Sequence, residues 1–490
     1  MIPTDLPRSS PESQGVDPAG ISALLDTLEA APDIEPHSLV VVRHGQVVAE
    51  GWWSPYASEL PHLLYSLSKS FASTALGLAL GEGLVDLDAT VLSYFPELDA
   101  EIKDPRSRSM RVRHIAAMAS GHLTETLDRA LANDPVDLVR GFLLVPPDRE
   151  PGTVFAYNQP CTYTLAAIVQ RLSGQTLVEY LRPRLLDPLG IGPVGWQQHP
   201  VGRDLGFTGL HATTDAIARL GLLYLQRGVW EGTRLLSEAW VAEATSTQVA
   251  NPDEANPDWR QGYGFQFWMA RHGYRGDGAY GQFCVVLPEQ DAVVAITAAT
   301  QNMQAVLEAV WEHLLPAMGT DALEPWSASA ELDERLAGLA LAPLAAEPEP
   351  QGAPETWSDV TWRPGSSGAV QPSLTGVRLV RDDDRWRLVL IEGDDEIRCV
   401  VGTGDWQTNL AETASGATGV PVAVSGGWVG EDTFRGDVIF LETPHRLELT
   451  GSRSRSTFDV AWVTSALRAG RLSDLRMPRS TGTTTSALLR

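Results

Sequence analysis

The sequence predicts an α+β fold with a separate C-terminal all-β domain, a barrel or a sandwich. Three observations carry this. Strand-like runs at Ser38–Val48, Phe283–Leu287 and Ala292–Ala298 bracket a long stretch in which apolar residues recur at helical spacing. From about residue 366 to 465 the pattern changes to short alternating strands with Gly and Asp turns. At 490 residues, the chain has room for two or three domains.

In chain order, a polar lead is followed by a helix over Pro18–Ala31. Ser38–Val48 reads as two strands joined by a turn at His44-Gly45. Trp52, Trp53 and Tyr56 come next, suited to core packing or to lining a pocket. Phe71, Ala72, Ala75, Leu76 and Leu80 then set a helix that stops at Gly81 and Gly83. Further helices are expected over Val112–Ala119, Asp137–Leu144, Thr162–Leu172 and Ala216–Leu225, the last capped from Thr213-Thr214-Asp215, and residues 175–190 read as another helix and the turn Asp187-Pro188-Leu189-Gly190. Gly262–Trp268 alternates like a strand. Two more strands, Phe283–Leu287 and Ala292–Ala298, meet at Pro288-Glu289, and a helix over Gln304–Leu315 closes a first domain spanning 1–320. An Ala-, Pro- and Glu-rich linker is expected over 321–365, the β domain over 366–470 and a flexible tail over 471–490.

The chemistry centres on Ser66-Leu67-Ser68-Lys69, the only Ser-x-x-Lys in the chain. Lys69 and Lys103 are its only lysines, so nearly every other cation is Arg. Arg cannot surrender its proton inside a protein, whereas a desolvated Lys can. Residues i and i+3 share a helix face, which sets Lys69 beside Ser66. A serine hydroxyl becomes a useful nucleophile when such a base adjoins it. Free Lys and Tyr both titrate near ~10, so a base working near neutrality needs a shift of about 3 units, roughly 4 kcal/mol.

Composition excludes several alternatives. The net charge of −25 makes nucleic acid and anionic membranes poor partners. Cys161, Cys284 and Cys399 are too scattered for a disulfide framework or a zinc site. Gly276-x-Gly278-x-x-Gly281 matches a dinucleotide fingerprint literally, but a strand follows it where that fingerprint requires a helix. No cofactor or metal is expected. The N-terminus reads without a signal peptide, and no apolar run is long enough to span a bilayer, so a cytoplasmic placement is expected.

Ser66-Leu67-Ser68-Lys69, then Tyr157-Asn158-Gln159, then a Gly-rich stretch before paired strands, resembles the serine β-lactamase and penicillin-binding-protein superfamily. Gly209-Leu210, Asp215-x-x-Ala218-Arg219 and Gly281-Gln282 add to the likeness, which covers about residues 10–315. The branch it is most similar to is the class C β-lactamase-related one, with its esterases, D-amino-acid peptidases and 6-aminohexanoate-dimer hydrolases. That resemblance implies an antiparallel sheet flanked by helices plus an all-helical region. It implies Ser66 as the acylated nucleophile, Lys69 as its base, and Tyr157 as a phenol that passes the proton to the leaving group. The N–H groups of Ser66 and Ala279 would form the oxyanion hole. Asn158 or Gln159, with Gly276, Asp277 and Gly278, would contact a small ester or amide substrate. A nearby ammonium is expected to lower the Tyr157 pKa. Two departures stand out. The second motif ordinarily reads Tyr-x-Asn, and the third has Gly276 where the family carries a Lys or His that helps hold a substrate carboxylate. An ester or amide hydrolase is therefore expected, with D-peptidase or β-lactamase activity, or an idle scaffold whose β domain binds a ligand, as rival readings. The sequence does not fix the oligomeric state.

Overall fold

The computed structural model describes residues 5–324, 328–345, 347, 349–413 and 419–479. Its first domain is built on a six-stranded antiparallel sheet. Across the sheet the order is Gln46–Trp52, Ile34–Arg43, Ala292–Thr300, Gln282–Leu287, Tyr274–Gly278 and Trp268–Met269. Side-chain alternation gives this sheet two apolar faces. Leu39, Val41, Phe283, Val285, Val294 and Ile296 face the helices Pro18–Ala30 and Met303–Ala309, packing against Ile21, Leu24, Leu28 and Val306. Val40, Val42, Cys284, Val286, Val293 and Ala295 face the other way, into a core shared with the helices Ser68–Gly81, Gln159–Ser173 and Thr214–Leu225. Several short helices between residues 105 and 143 extend that second layer into the expected all-helical region.

The C-terminal domain is a closed nine-stranded barrel. Its first strand, Thr361–Pro364, pairs in parallel with its last, Thr457–Thr464, and so shuts the ring. Trp357, Trp362, Trp386, Trp428 and Phe434 fill the interior. Burial of such large aromatic surfaces dominates the energetics of a core this small.

The structure differs from the sequence reading at both domain borders and in one strand. The expected linker 321–365 contains a helix, Ala328–Ala337, because Leu332 and Leu339 bury themselves against the first domain. It also contains the barrel's closing strand; residues 325–327, 346 and 348 lie outside the described residues. In the expected tail 471–490, Leu472 is buried and its N–H donates to Glu392, so residues 471–479 belong to the barrel's edge. Residues 480–490 lie outside the described residues. Gly262–Trp268 is not a strand. Gln266 has φ 63°, a left-handed turn that breaks the alternation, and only Trp268–Met269 joins the sheet. Trp53 and Tyr56 pack in the core. Among the described residues no helix is long and apolar enough to cross a membrane.

The barrel and first domain share a seam. Ala423, Ile439 and Leu441 of the barrel wall join the first domain's core. Arg446 pairs with Glu35 at 2.5 Å, the Leu63 N–H donates to the Glu442 carbonyl at 2.8 Å, and Tyr56 donates to the Thr443 carbonyl at 3.1 Å.

Candidate active site

Ser66 lies in a 3-10 turn, Tyr65–Leu67, that runs directly into the helix Ser68–Gly81. Tyr65 has φ 47°, a strained value for an aromatic residue, and it turns the chain sharply before the serine. Its hydroxyl meets His445 Nε2 of the barrel at 2.7 Å. His445 Nδ1 faces the Thr464 carbonyl at 3.1 Å. A carbonyl only accepts, so Nδ1 carries the proton and Nε2 accepts from Tyr65. Burial lowers the His445 pKa to about 4, which keeps that tautomer neutral.

One turn along, Lys69 is 1 % exposed, whereas Ser66 is half-buried. Lys69 Nζ lies 3.0 Å from Ser66 Oγ, 2.6 Å from Gln159 Oε1 and 2.8 Å from the Phe207 carbonyl oxygen. It also sits 4.8 Å above the centre of the Tyr157 ring. Burial lowers its pKa to about 7, against the opposing pull of the Glu125 and Asp277 carboxylates. A neutral amine has two N–H bonds and one lone pair. Gln159 Oε1 and the Phe207 carbonyl only accept, so they take both N–H bonds. The lone pair is then left for the Ser66 hydroxyl.

Tyr157 is half-buried, stacked on Trp268 with ring centres 5.4 Å apart, and hydrogen-bonded to Ser66. Its pKa is raised by burial and by the charge of Asp277, against the Ser66 bond. The lowering expected from a neighbouring ammonium is outweighed by burial first and by the Asp277 carboxylate second. The phenol therefore keeps its proton in the resting site.

The second-motif residues separate. Gln159 opens the helix Gln159–Ser173 and reaches Lys69. Asn158 is fully buried, and its Oδ1 accepts from the N–H and hydroxyl of Thr126 at 3.2 and 2.8 Å. Asn158 thus braces the loop beneath the cleft and presents no amide to a ligand.

Gly276, Asp277 and Gly278 lie on the strand Tyr274–Gly278, which runs along the serine turn. A Cβ on Gly278 would stand 2.1 Å from the Leu64 carbonyl oxygen, and one on Gly276 would stand 2.5 Å from Ser70 Oγ. Only glycine permits so close an approach. It sets Ala279, next in sequence, against the turn that holds Ser66. Asp277 is buried in an ion pair with Arg275 at 3.2 Å. Burial raises its pKa, opposed by the charges of Arg275 and Lys69.

Sequence reasoning missed two participants. Glu125 accepts from the N–H groups of Thr126, Leu127 and Gln159 at 2.8, 2.9 and 3.1 Å, so it caps two helices and fixes Gln159. Its signal was an acid just before a helix, at a place where a carboxylate favours the helix dipole. The second is the Phe207 carbonyl, a backbone atom that carries no residue-type signature. Gly206 and Gly209, both at positive φ, shape the loop that aims it.

Residues 21–316 match the family model described as Beta-lactamase. The chain is 28% identical over 318 residues to a 6-aminohexanoate-dimer hydrolase of Paenarthrobacter ureafaciens, covering 56% of this chain and 78% of that protein. It is 28% identical over 170 residues to a lovastatin esterase of Penicillium rubens, covering 30% of this chain and 42% of that one. Among solved structures it is similar to EstCE1, a hydrolase with promiscuous acyltransferase activity. That likeness has a TM-score of 0.51 and 16% identity, over 60% of this chain and 98% of that one.

Proposed function

The chain belongs to the β-lactamase family, and from that premise we propose that it is a serine hydrolase cleaving a small ester or amide through an acyl-enzyme on Ser66. The observation that carries this reading is the surroundings of Lys69 Nζ, where two fixed acceptors leave a lone pair for one hydroxyl. Neutral Lys69 takes the Ser66 proton as Oγ attacks the substrate carbonyl. The N–H groups of Ser66 and Ala279 hold the resulting oxyanion, each such donor being worth about 3 kcal/mol. Tyr157, protonated at rest, gives its proton to the departing alcohol or amine and is reprotonated from Lys69. Water then enters, and the same pair strips its proton to release the acid. No step calls for a metal or cofactor.

The names of the relatives point to one amide and one ester within the family's reach. The acidic pair Asp277 and Glu125 beside Lys69 disfavours an anionic substrate, and Gly276 supplies no cation to hold a carboxylate. Neutral esters and amides therefore fit better than β-lactams. Ser66→Ala is expected to lower hydrolysis of p-nitrophenyl acyl esters by several orders of magnitude and to abolish the fluorophosphonate adduct seen by intact mass. Wild-type turnover in Ser66→Ala would refute the assignment.

A further inference from the structure

The barrel does more than buttress the first domain. Beyond its last strand the chain runs from Ser465 to Leu475 along the wall of a cavity beside the serine turn. At one side the Tyr280 hydroxyl, two residues past Gly278, donates to the Ser465 carbonyl at 2.6 Å. At the other, Arg468 reaches Asp128, three residues past Glu125, at 3.4 Å. Three residues of chain thus cross from the strand side to the helical side. At no more than about 3.6 Å per residue, that crossing spans roughly 10 Å.

Beneath this strap is a cavity of about 140 Å³. Leu63 and Tyr65 of the serine turn, Thr208, Trp462, Leu467 and Leu472 wall it. Tyr65 and Thr208 adjoin, in sequence, Ser66 and Phe207, the two residues that Lys69 Nζ joins. Several polar side chains at its wall are already committed. His445 is held by Tyr65 and Thr464, the Gln371 amide donates to Ser373 and to the Gly470 carbonyl, and Arg468 and Arg471 pair with Asp128 and Asp395. Gln197, Thr208, Ser465 and Asp474 add polar atoms to a lining that is mostly apolar. Leu467 is 62% exposed and Val370 45% exposed, an unusual placement that gives the rim the same character.

We propose that this cavity is a specificity pocket for the apolar group of the ester or amide substrate, closed by the barrel's exit strap. It rests on the acyl-enzyme reading above. Apolar cavities of about 150 Å³ admit a benzene ring, so the group it fits is a phenyl ring or an alkyl chain of about six carbons. Each methylene that enters should raise kcat/KM about fourfold, until the pocket is full.

Two substrate series test this: p-nitrophenyl acyl esters from acetate to decanoate, and alkyl acetates from ethyl to decyl. The first extends the acyl side, the second the leaving group. In the wild type, kcat/KM is expected to climb to about six carbons in one series and then level off. Ala466→Phe, which fills the cavity, should move that optimum to shorter chains. Leu467→Ser, at an exposed position that does not endanger folding, should cut the hexanoyl-to-acetyl or hexyl-to-ethyl ratio severalfold. A ratio that is flat in both series, or indifferent to both substitutions while hydrolysis still depends on Ser66, would overturn the pocket and leave the nucleophile standing. Hydrolysis that survives in Ser66→Ala would instead overturn the reading beneath it.

Discussion

Lys69 has three neighbours and, when neutral, two hydrogens. In the proposed mechanism that mismatch is what lets a buried amine act as a base. Arg at position 69 has only donors and cannot lose its proton. Lys69→Arg is therefore expected to be as inactive as Lys69→Ala in ester hydrolysis, with the fold retained by circular dichroism. Because the amine must be neutral, kcat/KM should rise with pH along a single limb centred near 7, the value to which burial lowers Lys69. Glu125 opposes that lowering. Glu125→Gln removes a negative charge that favours the ammonium, so the limb should move to lower pH, and Gln159→Glu should move it higher. A pH–rate profile checks both signs. Much of this was legible in the sequence, since a chain so short of lysine had placed one at i+3 from a serine. The choice between Asn158 and Gln159 was not, because either order of amides suits the start of a helix. Only the packing of Thr126 against Asn158 resolves it.

At the scale of elements, the site depends on a strand pressed against a turn. Gly276 and Gly278 leave no room for a Cβ on the face that meets Leu64, Leu67 and Ser70. Gly278→Ala should push the strand off the turn and with it the Ala279 N–H. Activity should fall sharply for a stability cost of about 1–3 kcal/mol, measured by thermal unfolding alongside ester hydrolysis. The strands at Ile34–Arg43, Gln282–Leu287 and Ala292–Thr300 were readable because their β-branched runs are buried on both faces. Gly262–Trp268 misled for a physical reason. Tyr263, Phe265 and Phe267 alternate, yet Gln266 between them is buried, its side chain bonded to Thr162 and to the carbonyl of Ala116. That network outweighs the strand pattern. The helix Ala328–Ala337 was hidden by the Ala, Pro and Glu around it, and only its leucines, docked on the first domain, reveal why it forms.

On the scale of the whole molecule, four buried histidines gather at the seam. His37 Nδ1 meets His62 Nε2 at 3.1 Å, His445 holds Tyr65, and His211 lies on the strand that pairs with Leu63. Burial lowers all four pKa values, to about 3 for His211 and about 4 for His445. The unfolded chain, with histidines near 6.5, binds more protons than the folded one between about pH 6.5 and 4. Their contribution is therefore full above pH 6.5 and is lost as pH falls through that window. Unfolding near pH 5 should take up about two protons from His211 and His445 together, read from the pH dependence of the denaturation midpoint. In His445→Phe that uptake should drop by about one. The same variant removes the acceptor for the Tyr65 hydroxyl proton, which should cost about 1–3 kcal/mol and slow turnover. The C-terminal β domain itself was visible from its alternation. Its bearing on the serine was not, because Tyr65 and His445 are 380 residues apart.

The parallel pairing of Arg363 with Thr457 sets an order of events during synthesis. Domains generally fold as they emerge, the N-terminal one first. Ser66, Lys69 and Tyr157 leave the ribosome hundreds of residues before the ring that presents His445 can shut. A nascent chain stalled before residue 457 would thus hold the proposed Ser66, Lys69 and Tyr157 trio with the preceding tyrosine unanchored, and competence would wait for the barrel to close.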